Sequence, residues 1–188
     1  MEIRKAVKDD IDSIAEIYEK VHDAEEGGEV FTGWLRGIYP TRKTVEDALN
    51  RDDMFVIEDE GNVAAAAIIN QLQVDVYKNV PWRHCVKDDE VMVLHTLAVD
   101  TSKYNKGYGR RFVAFYEEYA RAHGCTELRM DTNVINTKAR RLYNKLGYEE
   151  MGIEENTFNG IPNVRLVCLE KYLAKTDSCW EDGGGAAG

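Results

Sequence analysis

The sequence predicts an α/β mixture built around one largely antiparallel sheet in a single domain. Three observations carry this. Segments with apolar residues at helical intervals alternate with short runs of strand character. Two of the strands are joined by the turn Asp59-Glu60-Gly61-Asn62, which makes them a hairpin. Two others flank the helical segment Gly107 to His123, and strands joined by a crossover helix run parallel. The chain has 188 residues and 44% hydrophobic residues, enough for one globular core over residues 1–175. The segment 176–188 ends Gly-Gly-Gly-Ala-Ala-Gly and is expected to be a disordered tail.

Taken in order, residues 2–7 alternate as a short strand. Asp9 or Asp10 is placed to cap a helix that carries Ile11, Ile14, Ala15, Ile17, Tyr18 and Val21 along one side, broken at Glu25 to Gly28. Pro40 precedes a second amphipathic helix from Thr41 to Asn50, with Thr41 or Thr44 as cap. Met54 to Glu58 and Val63 to Gln71 form the hairpin. Residues 72–90 are polar and mixed and read as a loop. Val91 to Asp100 is the strongest strand in the chain. The helix after it aligns Tyr108, Phe112, Phe115, Tyr116 and Tyr119. Thr126 to Asn133 is a strand, Asn136 to Lys145 a helix ended by Gly147, and Tyr148 to Ile153 with Val164 to Lys171 close the sheet.

The formal net charge is -10. Such a surface repels phosphate backbones and anionic membranes, so nucleic acid and membrane are not expected partners. The N-terminus has no apolar signal segment, and the longest apolar run, Val63 to Ile69, is far short of a span. A soluble, cytoplasmic protein is expected. Cys85, Cys125, Cys168 and Cys179 and the four histidines are scattered without paired metal-ligand spacing, so no metal site is expected.

Chemistry concentrates in two segments. In the first, the strand ending Leu97-Ala98-Val99 leads through Tyr104-Asn105-Lys106-Gly107-Tyr108-Gly109-Arg110 into a helix. Unsatisfied amides at a helix start, made accessible by glycine, bind phosphate groups, and lysines and arginines surround this turn. A dinucleotide fingerprint would need glycine where Phe112 stands, and the Gly-Lys-Ser/Thr of a nucleotide-binding loop is absent. In the second, Asn136, Ala139, Leu142, Tyr143, Lys145, Leu146, Gly147 and Tyr148 follow the pattern N-x-x-A-x-x-L-Y-x-K-L-G-aromatic. The two segments, in this order and spacing, resemble the GNAT family of N-acetyltransferases. The resemblance is strong over residues 90–150. Tyr104 departs from it, since the family carries Gln or Arg there.

The resemblance implies a mixed, mostly antiparallel sheet that splays open at the cofactor site, with helices on both faces. It implies acetyl-CoA as cosubstrate. The pantetheine arm would pair with the backbone of Leu97, Ala98 and Val99 like an added strand. The pyrophosphate would sit on amides of Tyr104, Asn105, Lys106, Gly107, Tyr108, Gly109 and Arg110, and Asn136 would reach the pantetheine arm. Tyr143 matches the family's general acid, whose phenol protonates the departing thiolate. For a base, two residues stand out. Asp131 lies twelve residues before Tyr143, a spacing that resembles ribosomal-protein alanine N-acetyltransferases. His95 lies two residues before Leu97 and is read as sharing its strand face, with a pKa range suited to a base. The acceptor is expected against the N-terminal helices and their connection, where Glu25, Glu26 and Trp34 combine acids with an aromatic able to hold an ammonium. The reading is an acyltransferase acting on a primary amine, a cationic small molecule or a peptide N-terminus, in a chain able to form a homodimer. The alternative is a non-catalytic acyl-CoA-binding or sensor domain. The charge is also uneven. Residues 1–61 carry 17 acids against 8 bases, and residues 101–146 carry 4 acids against 10 bases.

Overall fold

The computed structural model describes residues 1–173; the expected tail at 176–188 lies outside the described residues. Seven strands form one sheet, β1 (Glu2–Lys5), β2 (Met54–Asp59), β3 (Asn62–Asn70), β4 (Val91–Val99), β5 (Glu127–Asn133), β6 (Glu149–Phe158) and β7 (Ile161–Tyr172), in the spatial order β1-β2-β3-β4-β5-β7-β6. All neighbours are antiparallel except β4 and β5, the pair joined by the crossover helix. Helices α1 (Ile11–Glu26) and α2 (Arg42–Asn50) cover one face and α3 (Tyr108–Ala122) and α4 (Thr137–Lys145) the other. Among the described residues no helix is long and apolar enough to cross a membrane.

Each helix buries the stripe its sequence marks out. Ile14, Ile17, Tyr18 and Val21 of α1 are buried, and all but Val21 form one cluster with Val45 and Ala48 of α2 over Val56, Ala66 and Ile68. On the opposite face Phe112, Val113 and Tyr116 of α3 pack on Ile69, Met92, Leu94, Leu128 and Met130. Each such buried apolar side chain contributes roughly 1.5–3 kcal/mol. The Tyr116 hydroxyl lies 2.6 Å from the Met92 carbonyl and 3.0 Å from that of Arg129, so it bridges the parallel pair from below.

Four expectations change. The first strand ends at Lys5, and Asp10 stands before α1 without capping it. Its carboxylate instead accepts the Val7 amide at 2.8 Å and is held by Arg4. The segment 72–90 is more than a loop: it contains short 3-10 turns at Asp75–Asn79 and Asp88–Glu90, and Tyr77 and Val80 are buried against β4 and β7. Strands β6 and β7 run on to Phe158 and from Ile161, because Asn159 and Gly160 at φ 50 and 80 close a tight hairpin. Finally, His95 and Leu97 do not share a face. The register of β3 against β4 shifts between Ala66 and Ile68, and Thr96 opposite has φ 52. This extra residue makes a bulge. Beyond it Leu97 and Val99 pack with Met92 and Leu94, while His95 points to the other face beside Asn70.

Candidate active site

The bulge sits where the sheet opens. The β4–β5 ladder covers only Val91 to Leu94 against Glu127 to Met130. Beyond it β5 continues paired to β7 alone, and β4 continues paired to β3 alone. The free edge at Thr96 and Leu97 faces a cleft of about 620 Å³. Thr96 and Leu97 line it from β4, Asp131 to Asn133 from β5, and Asn136, Ala139 and Tyr143 from α4.

At one end the chain leaves β4 through Asp100, whose carboxylate accepts the Ser102 amide at 2.9 Å and Lys20 Nζ at 3.0 Å. Asn105 and Gly107 both have positive φ, 64 and 85, and Gly107 caps α3. The first helical bond runs from the Arg111 amide to the Gly107 carbonyl at 3.0 Å, so the amides of Tyr108, Gly109 and Arg110 are open at the positive end of the helix dipole. Lys138 Nζ lies over the Tyr104 ring at 4.0 Å, which holds a cation beside this turn. Tyr108 is buried with its hydroxyl donated to Asp59 at 2.7 Å, so it offers the turn its backbone alone. Gly109 serves packing as well: a Cβ there would come within 3.2 Å of Leu142 on α4.

At the other end, Tyr143 is buried in the cleft wall and its hydroxyl makes no hydrogen bond among the described residues. Burial and the nearby Asp131 charge raise its pKa, which keeps it protonated at neutral pH. Asp131 is pushed up to about 6 by burial, partly offset by the Tyr77 hydroxyl donated to Oδ2 at 2.8 Å. His95 is pushed the other way, to about 4, again by burial. Asn70 donates to Asp53 at 2.8 Å, which turns its Oδ1 toward His95 Nε2 at 3.1 Å, so that nitrogen carries the proton of a neutral ring. Asn136 caps α4 by accepting the Ala139 amide at 3.1 Å, and its side-chain nitrogen makes no hydrogen bond among the described residues.

The expected acceptor residues separate. Trp34 lines the cleft, edge-on to Tyr18 and Tyr39. The Glu25 carboxylate is spent on the connection after α1, where it accepts the Gly33 amide at 3.0 Å and bonds the Thr32 amide and hydroxyl. Glu26 is exposed, pairs with Arg36 at 2.9 Å and lies outside the cleft lining. Sequence reasoning missed Tyr77, Asn70 and Thr96, whose hydroxyl is bonded to Tyr39, and Lys43 and Asp47 of α2 with Arg51 just after it, which also line the cleft. The side of α2 that faces the cleft is polar and carries no motif, so only the tertiary packing reveals it.

The chain and its fold are similar to known proteins. The family model described as Acetyltransferase (GNAT) family matches residues 12–148. Streptothricin acetyltransferase of Escherichia coli is 27% identical over 152 residues, which is 80% of this chain and 78% of that protein. A GNAT-family acetyltransferase structure from Streptococcus agalactiae superposes with a TM-score of 0.75 at 24% identity, over 93% of this chain and 96% of that one. The structure of yncA from Salmonella typhimurium, solved with its cofactor acetyl-CoA, superposes with a TM-score of 0.65 at 19% identity, over 94% and 96%. With the family match spanning most of the chain, over both motif segments and most of the cleft wall, the protein belongs to the GNAT family and is an acyltransferase.

Proposed function

We propose that the protein transfers the acetyl group of acetyl-CoA to a primary amine by direct attack in a ternary complex, with Tyr143 as general acid and Asp131 as general base. The observation that carries this reading is the unbonded Tyr143 hydroxyl, sunk in the cleft with Asp131 where β4 and β5 part. Asp131, with a pKa of about 6, takes a proton from the attacking ammonium. The amine nitrogen then forms its bond to the thioester carbon. An amide in the stretch Leu97 to Val99 donates to the carbonyl oxygen as charge develops on it. As the C–S bond breaks, Tyr143 gives its proton to the sulfur, and solvent restores both groups. His95 is the weaker base by about two pKa units and serves the cleft wall as a neutral ring.

The basic turn from Tyr104 to Arg110 suits the phosphates of the cosubstrate, and Asn136 suits its pantetheine arm. The acceptor proposed is a cationic small molecule. Support comes from the aromatic wall of Trp34 and Tyr39, from Asp47 and Asp131 in the cleft, and from the streptothricin acetyltransferase relationship. Tyr143→Phe is expected to lower kcat by about a hundredfold or more with the acetyl-CoA Kd unchanged. Full turnover in that variant would remove Tyr143 from the acid role. A turnover assay with acetyl-CoA against streptothricin, aminoglycosides, polyamines and peptide N-termini identifies the acceptor class.

A further inference from the structure

Away from the cleft, three side chains converge at the far end of β5 and β7. His84 comes from the 72–90 segment, Glu127 opens β5 and Glu170 lies near the end of β7. Both glutamates are buried, with 0% and 2% exposure. His84 Nδ1 is 3.7 Å from Glu127 Oε2 and 3.6 Å from Glu170 Oε1, and one ligand atom from each residue lies within 4.8 Å of the others. Among the described residues neither Glu127 oxygen has a hydrogen-bond partner, and neither has His84 Nδ1. A fully buried carboxylate left in this state costs several kcal/mol unless something compensates it.

The nearest cation, Arg129, compensates Glu127 by charge alone. Arg129 Nε stands 3.7 Å from Glu127, beyond hydrogen-bond reach. Its Nη1 is committed to Gln73 at 2.6 Å and its plane lies over Trp82. A proton shared between the two carboxyls would make one hydrogen bond and leave His84 Nδ1 and the other Glu127 oxygen bare. A metal ion between them satisfies all three groups at once. In a tetrahedral site with bonds near 2.0–2.1 Å the ligand atoms stand about 3.4 Å apart, close to the two gaps measured. The supporting shell is present. The Arg83 amide holds both Glu170 oxygens at 3.1 and 3.2 Å, and Tyr172 stacks on the His84 ring at 4.4 Å. His84 is partly exposed, which gives an ion its way in.

We propose that His84, Glu127 and Glu170 form a divalent metal site of the zinc class, with solvent as fourth ligand, that pins the 72–90 segment to the sheet. One imidazole and two carboxylates suit zinc, and then manganese, better than calcium or magnesium, which favour oxygen ligands throughout. The site is structural, since it lies apart from the cleft. It acts on the segment that supplies Tyr77 to Asp131.

The test uses the untagged full-length protein, stripped with a chelator and dialysed against zinc or manganese. Expected are one ion per chain by elemental analysis and a Tm raised by about 5–10 °C when free metal exceeds Kd roughly a hundredfold. His84→Ala and Glu127→Gln should each lose both the ion and the Tm response. Wild-type protein that holds neither metal overturns the proposal, as does metal retained equally by both variants. A metal-blind wild type whose stability is matched or exceeded by Glu127→Gln would assign the pair to a shared proton instead.

Discussion

Burial lifts the Asp131 carboxyl above the ordinary carboxylate range, and a single hydroxyl limits how far. Burial favours its neutral form, and the Tyr77 hydrogen bond favours its ionised form. The proposed base works ionised, so on that reading kcat/KM should rise with pH through about 6 and stay level above, because Tyr143 keeps its proton far beyond that range. In Tyr77→Phe the ionised carboxylate loses its donor, its pKa rises further, and the acid limb should move up by about 1–2 pH units. Superimposable pH–rate profiles for the two proteins would contradict this role for Asp131. The residues differ in how legible they are. Asp131 and Tyr143 stand at a fixed spacing inside one strand–helix unit, so a linear pattern exposes them. Tyr77 sits 54 residues from its partner, in a segment without periodicity, and nothing local announces the contact. The same is true of the proposed metal ligands His84, Glu127 and Glu170: separated along the chain, they show none of the paired spacing by which a metal site is read from sequence.

Among the elements, regular helices and apolar strands were readable because their burial has a period. The irregular features were not. The bulge at Thr96 places a β-branched residue at positive φ, a conformation that sequence would argue against. It is held there by Tyr39 from another element, and it reverses the face assigned to His95. The outer half of the β6–β7 hairpin is polar enough to pass for a loop, although Asn159-Gly160 is a hairpin turn signal. The turn before α3 illustrates a local requirement. At φ 85, Gly107 is in the left-handed region with open space around it, so a methyl group fits but the backbone is strained. Gly107→Ala should cost about 1 kcal/mol or more of stability. It should also raise KM for acetyl-CoA by more than it raises KM for the acceptor, because the strain falls on the amides proposed to meet phosphate. Steady-state kinetics with each substrate varied in turn would show the difference.

On the scale of the molecule, the net charge of -10 conceals two opposite regions. The acidic N-terminal third neutralises part of itself, since Arg36 alone pairs with Glu19, Asp23 and Glu26 and Arg42 with Asp12 and Glu46. In the basic region Arg140 pairs with Glu150, while Lys103, Lys106, Arg110 and Arg111 enter no ion pair among the described residues. A polyanion arriving there meets uncompensated charge. Raising salt from roughly 0.05 to 0.5 M should therefore raise KM for acetyl-CoA severalfold. A short acetyl-pantetheine thioester without phosphates should show little change. Equal salt sensitivity of the two thioesters would place the electrostatic contribution elsewhere.

The short parallel ladder has a further consequence. Four residue pairs, Val91 to Leu94 with Glu127 to Met130, are among the described residues the only strand pairing between the four-strand and three-strand parts of the sheet. Such a seam is where partial opening of a native protein is expected to begin. A ligand strand laid along Leu97 to Val99 and held from α4 would act as a clasp across it. Amide hydrogen exchange at the seam should then slow when acetyl-CoA is added, by more than exchange in the β2–β3 hairpin.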